Sequence, residues 1–473
     1  MPAAPSPVLR GFLYMAVCFG LNHGTVVSML QLASSTLGHE LGGYSSGTLY
    51  VAYTLAALTA APGVVQRLGA KWALFSGLAV YCAYVLAFVV AVAVPAVKWP
   101  VALVGSVVGG VGGGCLWTAQ GAYFAASAEL YAHEAGVPRA AAANKLAGAF
   151  ASIYLGAEVG LKLLMSVLMG TFGLSTTAVF FVFMLVAVAG ATGAAFVPPV
   201  DGGAAPPPAA RRSASGDGNA AAAAGTAAGP DEAAAAGGGG AKPPALAAAL
   251  RLLVTDSRCF LMVPFNAAFG LTSGLLVFYV NAYIITPSLG VASIGYCSAV
   301  NVATGSLLSV PIARLTDRVG HGAIITAGGV AFGLFSAVVL VVPNASLGSW
   351  GAIVPLLVCF GFGRAVWEST TKAVFAVFFP DDKPAAFANV ILQSGAFSSV
   401  AFFTFPGAPR AVMALCCLAA AVLAPPAYLA AALVHKQRAG RGGEPGGESL
   451  LGRDFEEGRA ATGNPLQAEG KGA

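Results

Sequence analysis

The apolar positions of this chain follow neither the two-residue alternation of a half-buried strand nor the one-sided stripe of a surface helix. They form long runs that are apolar all round, separated by short segments rich in Pro, Gly and charge, such as 94–100 (VPAVKWP) and 379–384 (FPDDKP). Runs longer than about 18 residues can cross a bilayer as helices. Lipid admits only helices or closed barrels, because backbone groups there must be satisfied internally. The lack of alternation excludes a barrel. Twelve spans are expected, near 9–32, 46–66, 72–94, 100–126, 145–169 and 175–197, then near 259–284, 290–313, 323–343, 351–379, 386–405 and 409–434. The first run is too long for a signal peptide's apolar region and reads as a span.

Composition points the same way. Of 473 residues, 57% are hydrophobic and 9% charged, with a mean hydropathy of +0.79. A soluble domain carries roughly 25% charge, and one soluble core stops growing at about 250–300 residues. The fold class is therefore all-α membrane. Segment 198–250 is Ala-, Gly- and Pro-rich with few large apolar residues and is expected to be a disordered linker, as is the tail 436–473. These divide the chain into six-helix units at 1–197 and 251–435.

The net charge of +5 does not point to nucleic acid, but its placement orients the chain. Arg10, Arg67, Lys71, Arg139, the linker cations, Arg314, Arg318, Lys383 and Lys436 fall on one side, and only Lys98 and Arg410 on the other. That asymmetry places both termini and the linker in the cytoplasm, in a plasma membrane or endomembrane. The sequon Asn344-Ala345-Ser346 then lies on the outer side, with Asn344 a candidate glycosylation site. All eight cysteines fall in apolar runs without zinc spacing or a disulfide framework, and read as packing residues. No catalytic triad, metal cluster or cofactor motif stands outside the spans. An enzyme is not expected, nor a cofactor. The run 109–114 (GGVGGG) lacks the Lys-Ser/Thr of a phosphate loop and reads as close helix packing.

The halves resemble each other. GCLWTAQGAYFAA (114–126) aligns with GRAVWESTTKAVFA (363–376), so that Trp367 follows Trp117 by 250 positions. RLGAK (67–71) aligns with RVGHG (318–322), where Gly320 follows Gly69 by 251. AAANKLAGAF (141–150) resembles AFANVILQSGAF (386–397). Six spans per half is an even number, so the copies are parallel repeats. That describes the major facilitator fold, in which substrate binds at the midplane between the halves.

Ionisable residues at membrane depth are costly and need a partner or a purpose. The tenth span carries Arg364, Glu368 and Lys372 in one stripe four residues apart, and the fifth carries Glu158 and Lys162. Glu368 can pair with the cation one turn either side. Three cations against two carboxylates leave one positive charge for an anion, a carbonyl or water. The plainer reading makes these ion pairs that hold the helices in register; the functional one makes them a gate or ion-coupling network. Asn22, His23 and Gln31 lie in the first span, and Asn266 and Asn281 in the seventh. Asn22 and Gln31, nine apart, are expected on nearly one face. Interhelical hydrogen bonds are the plain role for the amides, and a proton relay is the alternative for His23. Trp117 and Trp367 lie too deep for interfacial anchors and read as packing or cavity lining.

The stretches LWTAQGAYFAA (116–126), GYCSAVNVATGSLLSVPIARLTDRVG (295–320), FGRAVWESTTKAVFAVFFPDDKPAAFANV (362–390) and FGLNHGTVVSMLQL (19–32) resemble the uncoordinated-93 (Unc-93-like) family of the major facilitator superfamily. Trp117, Gln120, Gly121 and Tyr123 match its fourth-helix motif, and Trp367, Phe387, Ala388 and Asn389 its tenth-to-eleventh-helix motif. Glu368 and Lys372 depart from the family pattern, which has uncharged polar residues there. The resemblance implies roles in potassium homeostasis, as an accessory subunit of potassium channels, or in escorting nucleic-acid-sensing receptors. Two functions are therefore expected in competition. One is a secondary transporter or ion-homeostasis protein with a midplane site for a small solute or ion. The other is a non-transporting accessory or trafficking subunit of another membrane protein. The candidate binding or gating residues are Asn22, Gln31, Trp117, Gln120, Glu158, Lys162, Arg364, Trp367, Glu368 and Lys372.

Overall fold

Helices account for the secondary structure in the computed structural model, which describes residues 6–200 and 245–442. The linker 201–244 and the tail from 443 lie outside the described residues. The first half contains α1 (Pro7–Thr36), α2 (His39–Leu58), α3 (Ala61–Ala93), α4 (Lys98–Ala135), α5 (Arg139–Gly170) and α6 (Thr176–Ala194). The second opens with α7 (Ala245–Thr255), which starts six positions before residue 251. One continuous crossing follows, made of α8 (Ser257–Leu261), α9 (Val263–Gly274), a π-helical stretch Leu275–Ile285 and α10 (Thr286–Leu289). Then come α11 (Ser293–Val341), α12 (Asn344–Leu347), α13 (Trp350–Phe378), α14 (Lys383–Thr404) and α15 (Arg410–Gly442).

Among the described residues, ten helical segments are long and apolar enough to cross a membrane. Of these, α11 breaks into two crossings, and α2 with the first turns of α3 supplies a further one, giving twelve. The α11 break falls at Gly320 (φ 83°, ψ 163°), and α3 breaks at Gly69 with nearly the same geometry (φ 76°, ψ 163°). Positive φ is strained for residues with a Cβ. The repeat seen in the sequence thus holds in the backbone, at the same joint of each half.

Polar residues start the helices where the sequence changes character. Ser6 accepts a hydrogen bond from the Leu9 N–H at 3.2 Å to begin α1, and Ser175 accepts from Ala178 at 3.3 Å to begin α6. The glycine run of α4 is a packing surface. A Cβ on Gly110 would meet the Ala52 methyl at 2.5 Å and the Tyr53 nitrogen at 2.7 Å on α2, and one on Gly112 would meet Val80 of α3 at 2.7 Å. Large apolar side chains such as Val104, Leu185, Leu334 and Leu423 are exposed around the outside, where hydrocarbon is their solvent.

The halves meet along α5 against α11, α2 against α14, and α1 against the π-helical stretch. Both termini of the described chain and the joints at Gly69 and Gly320 lie at one end, called the linker end; Thr36, His39 and Gly290 lie at the far end.

At the linker end Asp256 caps α8 and gathers the C-terminal half. It accepts from the Arg258 side chain at 2.8 Å and from Arg438 at 2.6 Å, while Arg258 lies 4.7 Å over the Phe379 ring. Partial burial pushes the Asp256 carboxyl up, but hydrogen bonds from the Arg258 side chain and N–H, with help from Arg438, bring it down to about 2. A depressed carboxylate stabilises above its ordinary pKa and loses that contribution as pH falls through the depressed value. Asp256→Asn is therefore expected to lower the unfolding temperature at pH 5–7, with the gap to the parent closing as pH approaches about 2. A gap that stays constant across a Tm-against-pH series would count against this.

Candidate functional site

Between the halves lies a cavity of about 380 Å³ lined by α1, α2, α3, α4 and α5 on one side and by α9, the π-helical stretch, α11, α13 and α14 on the other. Its charged wall is α13. Arg364 and Glu368 face it, joined through Nε and Oε1 at 2.8 Å, and Lys372 lines it one turn further on. The four-residue spacing puts all three on one face and leaves Glu368 one turn from either cation; it takes the arginine. From the opposite half Glu158 reaches the cavity, backed by Lys162 at 2.6 Å. Glu158 and Arg364 interact electrostatically across the interface, so charge from both halves meets at the centre. Lys162 is buried behind Glu158 and does not line the cavity.

The repeat is broken at this stripe. Counting back 250 positions from Arg364, Glu368 and Lys372 gives Gly114, Thr118 and Ala122 of α4. Gly114 is pressed on α2, where a Cβ would lie 2.7 Å from the Ala57 nitrogen.

The matched tryptophans both line the cavity, in different settings. Trp367 stacks on Phe269 at 3.8 Å and 7°, and its Nε1 donates to Asn266 Oδ1 at 2.9 Å. Asn266 in turn donates to Gln393 at 2.7 Å. Trp117 stands edge-on to Phe19 at 4.9 Å and to His23 at 5.1 Å. Gln120, one turn from Trp117, is fully buried and lines the cavity, and neither of its amide heavy atoms has a hydrogen-bond partner among the described residues.

Asn22 and Gln31 separate. Nine steps of 100° make two and a half turns, which sets them on opposite faces of α1 rather than on one. Asn22 is fully buried inside its own half and donates to the Leu78 and Ala187 carbonyls at 3.2 and 2.8 Å, tying α1 to α3 and α6. Gln31 faces the other half, where Asn281 donates to its Oε1 at 3.1 Å and Ser298 at 3.3 Å. Ser35 and Thr286 meet at 2.9 Å, His39 stacks on Tyr283 at 4.2 Å, and Ser166 donates to the Ala292 carbonyl at 2.5 Å. These contacts all lie at the far end and close it. A double-mutant cycle on Gln31→Ala and Asn281→Ala is expected to give a coupling of about 0.6–1.7 kcal/mol, the range for interhelical hydrogen bonds in membranes; zero coupling would remove the pair from the closure. Asn344 sits at the same end with its amide nitrogen donating to the Tyr279 hydroxyl at 3.0 Å.

Sequence reasoning missed Tyr50, Tyr53, Tyr81, Asn301, Thr371 and Gln393. The tyrosines merge into apolar runs and give no signal. Asn301 and Gln393 are single amides within such runs, the signal that did single out Asn22 and Gln31.

A bundle of two parallel six-helix repeats around a central cavity is the architecture of the major facilitator fold, and the family model described as Major Facilitator Superfamily matches residues 12–406. The chain belongs to that superfamily. Among its members it is similar to the Unc-93 proteins: it is 25% identical to Protein unc-93 homolog A of Bos taurus over 83% of this chain and 84% of that one. It is 28% identical to UNC93-like protein 3 of Arabidopsis thaliana, in a match that spans 33% of this chain and about a third (35%) of that relative's length. The fold matches the crystal structure of the nucleoside transporter NupG with a TM-score of 0.62 at 13% identity, covering 90% of this chain and 99% of that one.

Proposed function

We propose that the chain is a secondary transporter that holds a small solute or ion at the midplane and exposes it to either side by rocking its halves. One observation carries this reading: the cavity between the halves is walled by Arg364, Glu368 and Lys372, with Glu158 opposite. Each ionisable group at membrane depth costs about 2.5–3.5 kcal/mol on insertion scales. A protein that only docks others through its outer helices has no use for four of them around a central space. In this reading the far-end contacts seal one side while the charged wall attracts and couples the cargo. The basic linker end faces the cytoplasm, and no cofactor or bond-making step is involved.

The test is flux in proteoliposomes under imposed potassium, sodium and proton gradients and with added organic solutes. The parent is compared with Glu368→Gln and with the paired Arg364→Met/Glu368→Gln, which keeps the buried charge balanced. Gradient-driven flux lost in both variants is the expected result. Absence of flux under every gradient, with the protein folded, would overturn the reading in favour of a non-transporting accessory subunit that regulates another membrane protein.

A further inference from the structure

Three features of the cavity bear on what it carries, and the inference rests on the transporter reading. The first is charge. Arg364 is answered by Glu368 and Lys162 by Glu158, but Lys372 has no ion-pair partner among the described residues. The five groups sum to one positive charge. The second is unmet hydrogen bonding. Beside Gln120, the Thr371 hydroxyl next to Lys372 and the Asn301 side-chain oxygen line the same space, buried and without partners among the described residues. Buried polar groups almost always have partners, so several converging on one cavity beside an unanswered cation mark where a ligand's polar atoms go. The third is shape. The walls include Tyr50, Tyr53, Trp117, Tyr154, Phe269 and Trp367, and about 380 Å³ is the small end of ordinary ligand pockets, which run about 300–1,000 Å³. Aromatic walls favour a flat apolar body.

We propose that the cargo is a small planar organic monoanion, a ring carboxylate whose charged group sits on Lys372 and whose polar edge is held by Gln120. A cation would meet a net positive wall. A phosphate dianion would bring one charge too many, and a single lysine lacks the planar fork suited to bidentate phosphate binding.

The experiment uses the purified full chain in proteoliposomes with three probes. Nicotinate is a flat monocarboxylate with a polar ring atom, nicotinamide is its neutral counterpart, and cyclohexanecarboxylate is an anion without a flat face. Binding is read by quenching of tryptophan fluorescence, and transport by uptake. Nicotinate is expected to bind tighter than either alternative by about tenfold, the scale of one hydrogen bond to a charged group. Lys372→Met should erase the preference of nicotinate over nicotinamide, and Lys372→Arg should retain it. Gln120→Leu should weaken nicotinate about tenfold while the preference for charge persists. Removing an unanswered charge does not destabilise the probe-free protein, so Lys372→Met should unfold at the parent's temperature or higher, which separates lost binding from misfolding. Equal binding of nicotinate and nicotinamide, a preference that survives Lys372→Met, or no binding of any probe would overturn the proposal. Flux of a neutral solute or a cation without anion preference would overturn the substrate class while the transporter reading stands. No flux of anything under any gradient would overturn both.

Discussion

Glu368→Gln is expected to destabilise the protein by about 3–5 kcal/mol, the cost of leaving a buried partner uncompensated. Arg364 would lose the carboxylate held at 2.8 Å. Because the Arg364 side chain is 20% exposed toward the cavity, water moderates the penalty and the lower end of the range is expected. Arg364→Met/Glu368→Gln removes both charges and should recover most of the loss, since buried pairs replaced together by apolar or neutral groups are often near neutral. Denaturant unfolding of parent, single and double variants measures this as a coupling energy. A double variant as unstable as the single would mean that the pair acts through packing and not charge. Stability and transport should part company here: the double variant regains the fold and not the flux.

Gly295→Val is expected to open the far end. Gly295 lies where α11 crosses α5, and a Cβ there would meet the Ser166 hydroxyl and the Lys162 carbonyl, both too close to accommodate, with the Met165 methyl at 3.1 Å. Backbone cannot yield as a flexible side chain can, so the two helices must part. Overpacking of this kind costs about 1–3 kcal/mol. The same displacement pulls at the neighbouring Ser166 hydrogen bond and at the Gln31–Asn281 and Ser35–Thr286 contacts that close that end. A cysteine placed at Ser35 should then react faster with a membrane-impermeant thiol reagent in Gly295→Val than in the parent. Unchanged labelling in a folded variant would show that the crossing does not govern the closure.

The fold was legible in the chain because lipid imposes a coarse code: length and apolarity of a run suffice to mark a crossing. Edges were less legible. Helix α2 begins at His39, seven positions before the expected 46, because polar His39 and Glu40 at the far end can still be helical. Helix α7 begins in the last residues of the expected linker and runs on to Thr255, since an 11-residue helix is too short to register as a span. The charged stripe of the site was legible for the reason that makes charges rare in membranes. Which cation Glu368 would take, and that Asn22 would be spent inside its own half, depended on packing that spacing cannot give. The cavity's tyrosines left no trace, as an aromatic ring facing a ligand and one facing a neighbour helix are written with the same letter.

The break in the repeat has a consequence for what the protein can grip. Two matching jaws would offer a captive molecule the same surface twice, and would suit best a molecule that is itself twofold. Here one jaw bears Arg364, Glu368 and Lys372, while the other has Gly114, Thr118 and Ala122 at the mirrored positions. Gly114 is held there by the neighbouring backbone, so that jaw cannot simply copy the first. The frame is duplicated and the charged wall is not: in the proposed transport cycle a lopsided captive would have one way to lie, and its charged end would ride with the C-terminal half whichever side stood open.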